Sequence, residues 1–326
     1  MVVTKTTGSV RRNAARMKKF GRVGVLMGGP SSEREISLKS GTAIYEALKE
    51  RLGDVVAIDV QTDSLRDAIT LLKSHAIDCA FIALHGRFGE DGQIQEILQG
   101  LGIPYTGSGV YASRLAMDKV SSRRILQVNR LWVPLYKVLD RQVHNANRKV
   151  YESIGFPLVV KPAMHGSSIG LSIVDHAEGL PRAIQEAFSF DDKILIEEYI
   201  QGKELTVGIL HNRALPVIEI VPKKRFFDYE AKYQPGMTDY ILPARIDEGV
   251  AKSVQRAALS AHALLGCAGC SRVDIILKKD DAPCVLEVNT IPGFTATSLL
   301  PKAARLAGIE FAELCLGLIR SAYEKA

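Results

Sequence analysis

The chain has 326 residues, 47% of them hydrophobic and 24% charged, which is enough apolar material for two or three cores of ordinary domain size. Its formal net charge of +6 is carried by residues 1–20, which hold six Lys and Arg and no acid; the rest balances 36 basic against 36 acidic side chains and is neutral, which argues against a nucleic-acid binder. No run of 18 apolar residues exists to span a bilayer, the basic segment lacks the apolar region of a secretory signal, and five scattered cysteines argue against a disulfide framework.

Residues 1–20 read as a disordered basic tail, with contact to polyanions as the alternative. Arg22–Met27 is a short apolar strand followed by Gly28-Gly-Pro-Ser-Ser-Glu33. Ser32, three residues before Glu35, predicts a capping box that opens a helix over Glu33–Leu48. A helix N-terminus after a parallel strand is where doubly wound folds place ligands, although a glycine turn and a cap alone explain every residue but Glu33. Val55–Val60 and Ser64–Ser74 continue as strand and helix, and Asp78–Leu84 is a buried strand. His85-Gly-Arg-Phe-Gly-Glu-Asp-Gly92 follows and opens a helix over Gln93–Leu101. A histidine just past a strand end is commonly structural, while so many glycines before a helix suit an anion.

Pro104–Gly109 clusters proline and glycine as a domain boundary should. Ser113–Asn129 reads as one helix containing Met117-Asp-Lys119. Phe156–Pro162 is a strand ending in Lys161, then Ala163–Gly170 is a glycine-serine loop, and Leu171–Val174 is another strand. This is not a Walker loop, because no helix follows and no GK[ST] occurs. On its own residues Lys161 is either a phosphate ligand or an exposed strand-end lysine, and Ser167 suits a turn. Lys193–Ile200 is a strand leading to Gln201-Gly-Lys-Glu204. Pro222–Ala244 breaks the patterning with five aromatics and an internal Pro-Gly, the composition of a lid rather than of disorder. Asp247–Leu265 and Leu300–Glu324 read as amphipathic helices.

Between these two helices, Arg272–Leu277 and Cys284–Asn289 alternate as the arms of a hairpin. Placing Asp274 opposite Glu287 sets Arg272 opposite Asn289, leaves Lys279–Ala282 as a four-residue loop, and turns Val273, Ile275, Leu286 and Val288 into the core. Facing carboxylates repel, and a hard divalent cation relieves them; the competing reading is a solvated edge charged against aggregation. Asn289–Ser298 adds a hydroxyl-rich Pro-Gly turn suited to an anion. The cysteines Cys79, Cys267, Cys270, Cys284 and Cys315 read as packed thiols, since Cys267-Ala-Gly-Cys270 falls short of the four ligands of structural zinc.

Taken together in this order, over about residues 21–320, these motifs resemble the D-alanine–D-alanine ligases of the ATP-grasp superfamily. The resemblance implies a three-lobed α/β and α+β fold. Residues 21–108 would form an N-terminal Rossmann-like substrate domain. Residues 109–201 would form the central ATP-grasp lobe, and residues 202–326 a C-terminal lobe with an omega loop and the metal site. ATP would bind between the last two lobes, its phosphates on Lys119 and Lys161. Glu197, Glu198, Tyr199 and Ile200 would hold adenine, and Glu204 the ribose. Glu33 would bind the ammonium of the first D-alanine, with His85 positioning and Ser167 bridging the flap to Glu33. Lys232 and Tyr233 would lie over the substrates, and Arg272 and the Gly293 N–H would face the oxyanion. Ser298, with Leu299 beside it, would hold the second carboxylate together with Lys232. Asp274, Glu287 and Asn289 would bind Mg2+ or Mn2+, two ions in all. The implied activity joins two D-alanines through D-alanyl phosphate for peptidoglycan precursors, in the cytoplasm, by a homodimer without membrane or nucleic-acid partners. Two departures stand out: Cys270 replaces a commoner aromatic, and Met164-His165 lie where charged residues are frequent. Another ATP-grasp carboxylate-amine ligase, or a nucleotide-sensing or nucleic-acid-binding protein, are the rival readings.

Overall fold

Val23–Gly28 (β1) is buried at every position, as the middle strand of a parallel sheet covered on both faces must be. The computed structural model describes residues 20–142, 153–166, 169–223 and 236–325. It divides into two units, one of residues up to 110 with 268–270 and 291–326, the other of residues 111–267 and 271–290. In the first, β1 is followed by α1 (Arg34–Lys49), β2 (Val55–Val60), α2 (Leu65–His75), β3 (Cys79–Ile82) and α3 (Gln93–Gly100). The strands run parallel in the order β2-β1-β3 over a core containing Leu26, Ile58, Ile82, Phe88 and Ile94. Ser64 caps α2, its hydroxyl accepting from the Asp67 N–H at 3.4 Å.

The capping box expected at Ser32 does not form: Glu33 is the N-cap of α1 and no side chain caps it. Ser31 does the local work instead, its hydroxyl accepting from the Glu33 N–H (3.2 Å) and donating to the His85 carbonyl (2.7 Å). The turn is thereby tied to the next loop rather than to its own helix.

In the second unit the helix expected over Ser113–Asn129 is two: α4 (Val110–Met117) and α5 (Lys119–Val128). Asp118 breaks it, because its carboxylate accepts from the Val120 and Ser121 N–H groups (2.9 and 3.2 Å) and restarts the helix as an N-cap. The chain continues through β4 (Tyr136–Asp140), β5 (Leu158–Pro162), β6 (Ser172–Val174), α6 (Leu180–Phe188) and β7 (Lys193–Glu198). These strands form an antiparallel sheet in the order β4-β7-β5-β6, with α6 packed on it through Ala183 and Ile184. A second sheet holds β8 (Lys203–Leu210), β9 (Arg213–Ala214), β10 (Ile218–Pro222) and β11 (Thr238–Ile241), then, after α7 (Glu248–Leu264), β12 (Cys270–Leu277) and β13 (Pro283–Asn289). Its order is β11-β10-β8-β12-β13, with β9 on β8. The stretch expected to be irregular from Pro222 begins and ends as a ladder, with Pro222 opposite Thr238.

The hairpin pairs Arg272 with Asn289 and Asp274 with Glu287, as its alternation predicts. The register then shifts by one between Asp274 and Ile275, so Ile275 faces Val285 and Leu277 faces Pro283. This bulge corrects two expectations. Val285, not Leu286, enters the core, and the Lys278 N–H donates to the Ala282 carbonyl (3.2 Å), leaving only Lys279–Asp281 in the loop. After the hairpin the chain returns to the first unit as α8 (Leu299–Leu306) and α9 (Phe311–Lys325), not as the single helix expected from Leu300. Gly308, at φ +81°, makes the break. The Tyr323 hydroxyl of α9 donates to the Phe20 carbonyl at 2.6 Å.

Candidate active site

Between the two sheets of the second unit lies a cavity of about 450 Å3. Val159 and Ile173 of the four-stranded sheet and Ile220, Ile276 and Leu286 of the six-stranded sheet give it apolar walls suited to a flat aromatic base. Lys119, Lys161, Glu197, Glu198, Tyr199, Ile200, Glu204, Asp274 and Glu287 also line it, so strands and helix ends far apart in sequence converge there. The Lys119 ammonium, at the start of α5, donates to the His165 carbonyl at 2.6 Å and stands 3.8 Å from Glu287. Asp118, just before it, caps the helix that Lys119 begins.

Lys161 is buried, its ammonium 2.7 Å from Glu197. Glu197 is also gripped by Arg123, whose Nε and a terminal nitrogen reach it at 3.0 and 2.9 Å. Burial alone would raise the Glu197 carboxyl, but Arg123 and Lys161 outweigh it and hold it below the usual range. Burial pulls Lys161 downward, and the neighbouring charge of Glu197 opposes this. Glu197, expected against adenine, therefore has its carboxylate committed to two cations. Glu198 accepts from the Leu135 N–H (2.8 Å), and the Glu198 and Tyr199 N–H groups donate to the carbonyls of Leu135 and Pro157. Opposite, Asp274 is held by Arg272 through two bonds (2.9 and 2.8 Å) and by the Thr206 hydroxyl (2.7 Å).

In the first unit, Glu33 is buried and packs against the His85–Gly92 loop: a Cβ on Gly86, which sits at φ +71°, would lie 2.7 Å from the Glu33 carboxylate. His85 is held at both nitrogens. Ser40 Oγ accepts from the Phe294 N–H (3.1 Å) and lies 3.1 Å from His85 Nε2, while Nδ1 lies 3.0 Å from the Ile291 carbonyl. A carbonyl can only accept, so Nδ1 carries a proton, and in the neutral ring Nε2 accepts from Ser40. The ring thus fastens the turn carrying Gly293. Glu90, 3.5 Å from Nδ1, is raised by burial and by the charge of Glu33, against the pull of its bond with His85. The Ser298 hydroxyl accepts from the Thr295 N–H (3.0 Å) beside Gly293, and Leu299 is buried next to it.

The family descriptions "D-ala D-ala ligase N-terminus" and "D-ala D-ala ligase C-terminus" match residues 64–108 and 125–320. The D-alanine–D-alanine ligase of Geotalea uraniireducens is 50% identical over 304 residues, covering 93% of this chain and 96% of its own. That of Pelotomaculum thermopropionicum is 47% identical over 312 residues, covering 93% and 97%. Among solved structures, the Bacillus anthracis D-alanine–D-alanine ligase complexed with ATP aligns at a TM-score of 0.82 and 35% identity, over 94% of this chain and 98% of that one. An Enterococcus faecalis D-Ala:D-Ser ligase aligns at 0.82 and 30%, over 93% and 100%. The chain belongs to the D-alanine–D-alanine ligase family.

Its fold is that of the ATP-grasp D-alanine–D-alanine ligases. Among the described residues no three His, Cys, Asp or Glu side chains gather as a ready metal site. The donor set on the hairpin, two facing carboxylates with Asn289 two residues beyond Glu287, is oxygen-only. It fits a hard cation that takes its remaining ligands from phosphate, and not one held by protein alone. Ser167, Lys232 and Tyr233 lie outside the described residues. All five cysteines are buried.

Arg123 was not a sequence candidate. Arginines in Ser121-Ser-Arg-Arg-Ile125 look solvent-facing, and only the position of Arg123 four residues after Lys119, one turn along the same face, hinted otherwise. Ser40 was likewise missed, since its partners His85 and Phe294 lie more than forty positions away, and so was Glu90, although its partner His85 is only five residues before it.

Proposed function

We propose that the chain binds ATP and a divalent cation in the cavity of the second unit and uses the γ-phosphoryl group to join two D-alanines, the step of peptidoglycan precursor synthesis that its family performs. The observation that carries this is the opposition of Lys119 and Lys161 to the Asp274–Glu287 pair within one cavity with apolar walls. Two cations facing two carboxylates is the arrangement a metal triphosphate needs, since the lysines meet phosphate oxygens and the carboxylates meet the ion.

A carboxylate is a poor electrophile, and transfer of phosphoryl to it creates a leaving group. The bound ion would supply charge neutralisation at the phosphates, with Asp274, Glu287 and Asn289 holding it. Lys119 and Lys161 orient the phosphates. Arg272, its plane fixed by Asp274, and the Gly293 N–H are assigned to the oxyanion that forms when the second amine attacks the acyl phosphate. Glu33 takes the ammonium of the first D-alanine and Ser298 and Lys232 the carboxylate of the second, with Ser167 assigned to Glu33 and Tyr233 to the substrates. No described helix is long and apolar enough to cross a membrane, and we place the enzyme in the cytoplasm, as a homodimer.

The test is phosphate release from ATP with Mg2+ or Mn2+ and each D- or L-amino acid in turn. D-alanine should drive release and yield the dipeptide. A parallel arm offers D-serine as second substrate beside D-alanine. Dipeptide with D-serine exceeding that with D-alanine would move the reading to a mixed ligase, and ATP bound without turnover under any acceptor would overturn it.

A further inference from the structure

Arg123 is 1% exposed, and its three nitrogens reach both sheets of the second unit. Nε and one terminal nitrogen hold Glu197 on β7, and the other terminal nitrogen donates to the Val285 carbonyl on β13 at 2.6 Å. Val285 borders the hairpin bulge, whose extra residue is Leu286, and its N–H donates to the Trp132 carbonyl at 2.9 Å, on the segment following α5. Both polar backbone groups of Val285 are therefore secured by the stretch that begins at Lys119. The bulge turns Leu286 and Glu287 together to the cavity.

The same guanidinium shapes the charge on the phosphate side. Glu197 is shared between Arg123 and Lys161. Arginine, glutamate and lysine together carry a net +1, so the carboxylate does not cancel the lysine. Without Arg123 the pair Glu197–Lys161 is neutral, and the ammonium is held against its carboxylate and away from a phosphate.

We infer that Arg123 is a positioning residue for phosphoryl transfer: it leaves Lys161 a net charge for the triphosphate and, through the Val285 carbonyl, sets the bulge that presents Glu287 to the ion. The inference rests on the ATP-dependent reading of this cavity. It separates two effects that one arginine joins, charge and geometry, and variants separate them as well. Arg123→Lys keeps the charge, but a single ammonium cannot meet Glu197 and the Val285 carbonyl in two directions. Arg123→Met removes both. Arg123→Met with Glu197→Gln removes the guanidinium but returns the group to a net +1.

Steady-state kinetics with D-alanine saturating and ATP varied reads this out, with circular dichroism establishing that each variant is folded. Arg123→Met should raise KM for ATP about tenfold, as loss of a charge-assisted contact does, and lower kcat about tenfold or more. Arg123→Lys should bring KM back near that of the unaltered enzyme while kcat stays low. The double variant should recover KM relative to Arg123→Met. A residue that merely filled space would move both parameters together in every variant, and that result overturns the inference. So does Arg123→Lys with the kcat of the unaltered enzyme. If Arg123→Met does not fold, Arg123→Lys decides through its KM and kcat. An unaltered enzyme that neither binds nor hydrolyses ATP would instead overturn the reading of the cavity itself.

Discussion

Asp274 and Glu287 are carboxylates at facing positions of one hairpin, yet the same isosteric change should affect them differently. Asp274 is 6% exposed and anchored by Arg272 and Thr206, so Asp274→Asn removes the acceptor of a buried, charge-assisted pair and should cost about 1.5–3 kcal/mol. The Glu287 side chain is 30% exposed at the cavity wall, and its ammonium neighbour is a distant 3.8 Å away. Glu287→Gln should therefore change stability by no more than about 0.5 kcal/mol. Turnover should nevertheless fall about a hundredfold or more, because a charge is lost from a hard-cation site. Urea midpoints and phosphate release, measured on both variants, check this. Full turnover by Glu287→Gln would sink its assignment to the ion. Neither the anchoring of Asp274 nor the commitment of Glu197 was legible in the sequence. In Lys193-Ile-Leu-Ile-Glu-Glu-Tyr-Ile200 the two adjacent glutamates look alike, and only the residues brought opposite make one buried with two cations and the other a backbone acceptor.

At the level of elements, the strands and helices read from the sequence recur in the fold, whereas β4, β8 to β11 and α6 were not read from it, and the departures have local causes. Asp118 prefers to cap, so a helix that periodicity joins is cut there. Gly308 adopts a left-handed backbone, which ends α8 inside an apolar run that reads as continuous. The bulge at Val285–Leu286 is invisible to alternation, because both residues are apolar and either could face the core. What binds elements together was least legible of all. His262, on α7, accepts from or donates to Ser271 on β12 at 2.7 Å and lies 3.2 Å from Asn212 in the turn between β8 and β9. Burial pushes its imidazole down to about 4, from an ordinary value of 6.5. An unfolded chain thus takes up a proton at a pH where the folded one does not, so stability contributed by neutral His262 is present above 6.5 and lost as pH falls towards 4. The full effect is about 3 kcal/mol. Denaturation of the unaltered protein and of His262→Gln, compared between pH 7 and pH 4, should show the smaller loss in the variant. Equal losses would mean that His262 does not titrate between the two states.

For the whole molecule, the division into units matters more than any single contact. Residues 291–325 group with residues 20–110 and not with the hairpin that precedes them, an arrangement no local pattern reveals. The cavity proposed for the nucleotide, by contrast, is built wholly from residues of the second unit, and its walls belong to two different sheets. A ligand there bridges both sheets and should stabilise that unit as one body. At ATP and Mg2+ concentrations about a hundredfold above the dissociation constant, linkage gives about 2.7 kcal/mol. For a unit of this size that corresponds to a rise of about 5–10 °C in Tm. If the carboxylates of the hairpin meet the ion while Lys119 and Lys161 meet the phosphates, neither component alone can engage both sheets fully. ATP with a chelator in place of Mg2+ should then lose most of the rise, because Asp274 and Glu287 are left facing phosphate without an intervening cation. Scanning calorimetry with ATP, Mg2+, both, and both with chelator distinguishes the cases. An equal rise with and without the chelator would show that the lysines alone hold the nucleotide, and the hairpin would lose its place in binding.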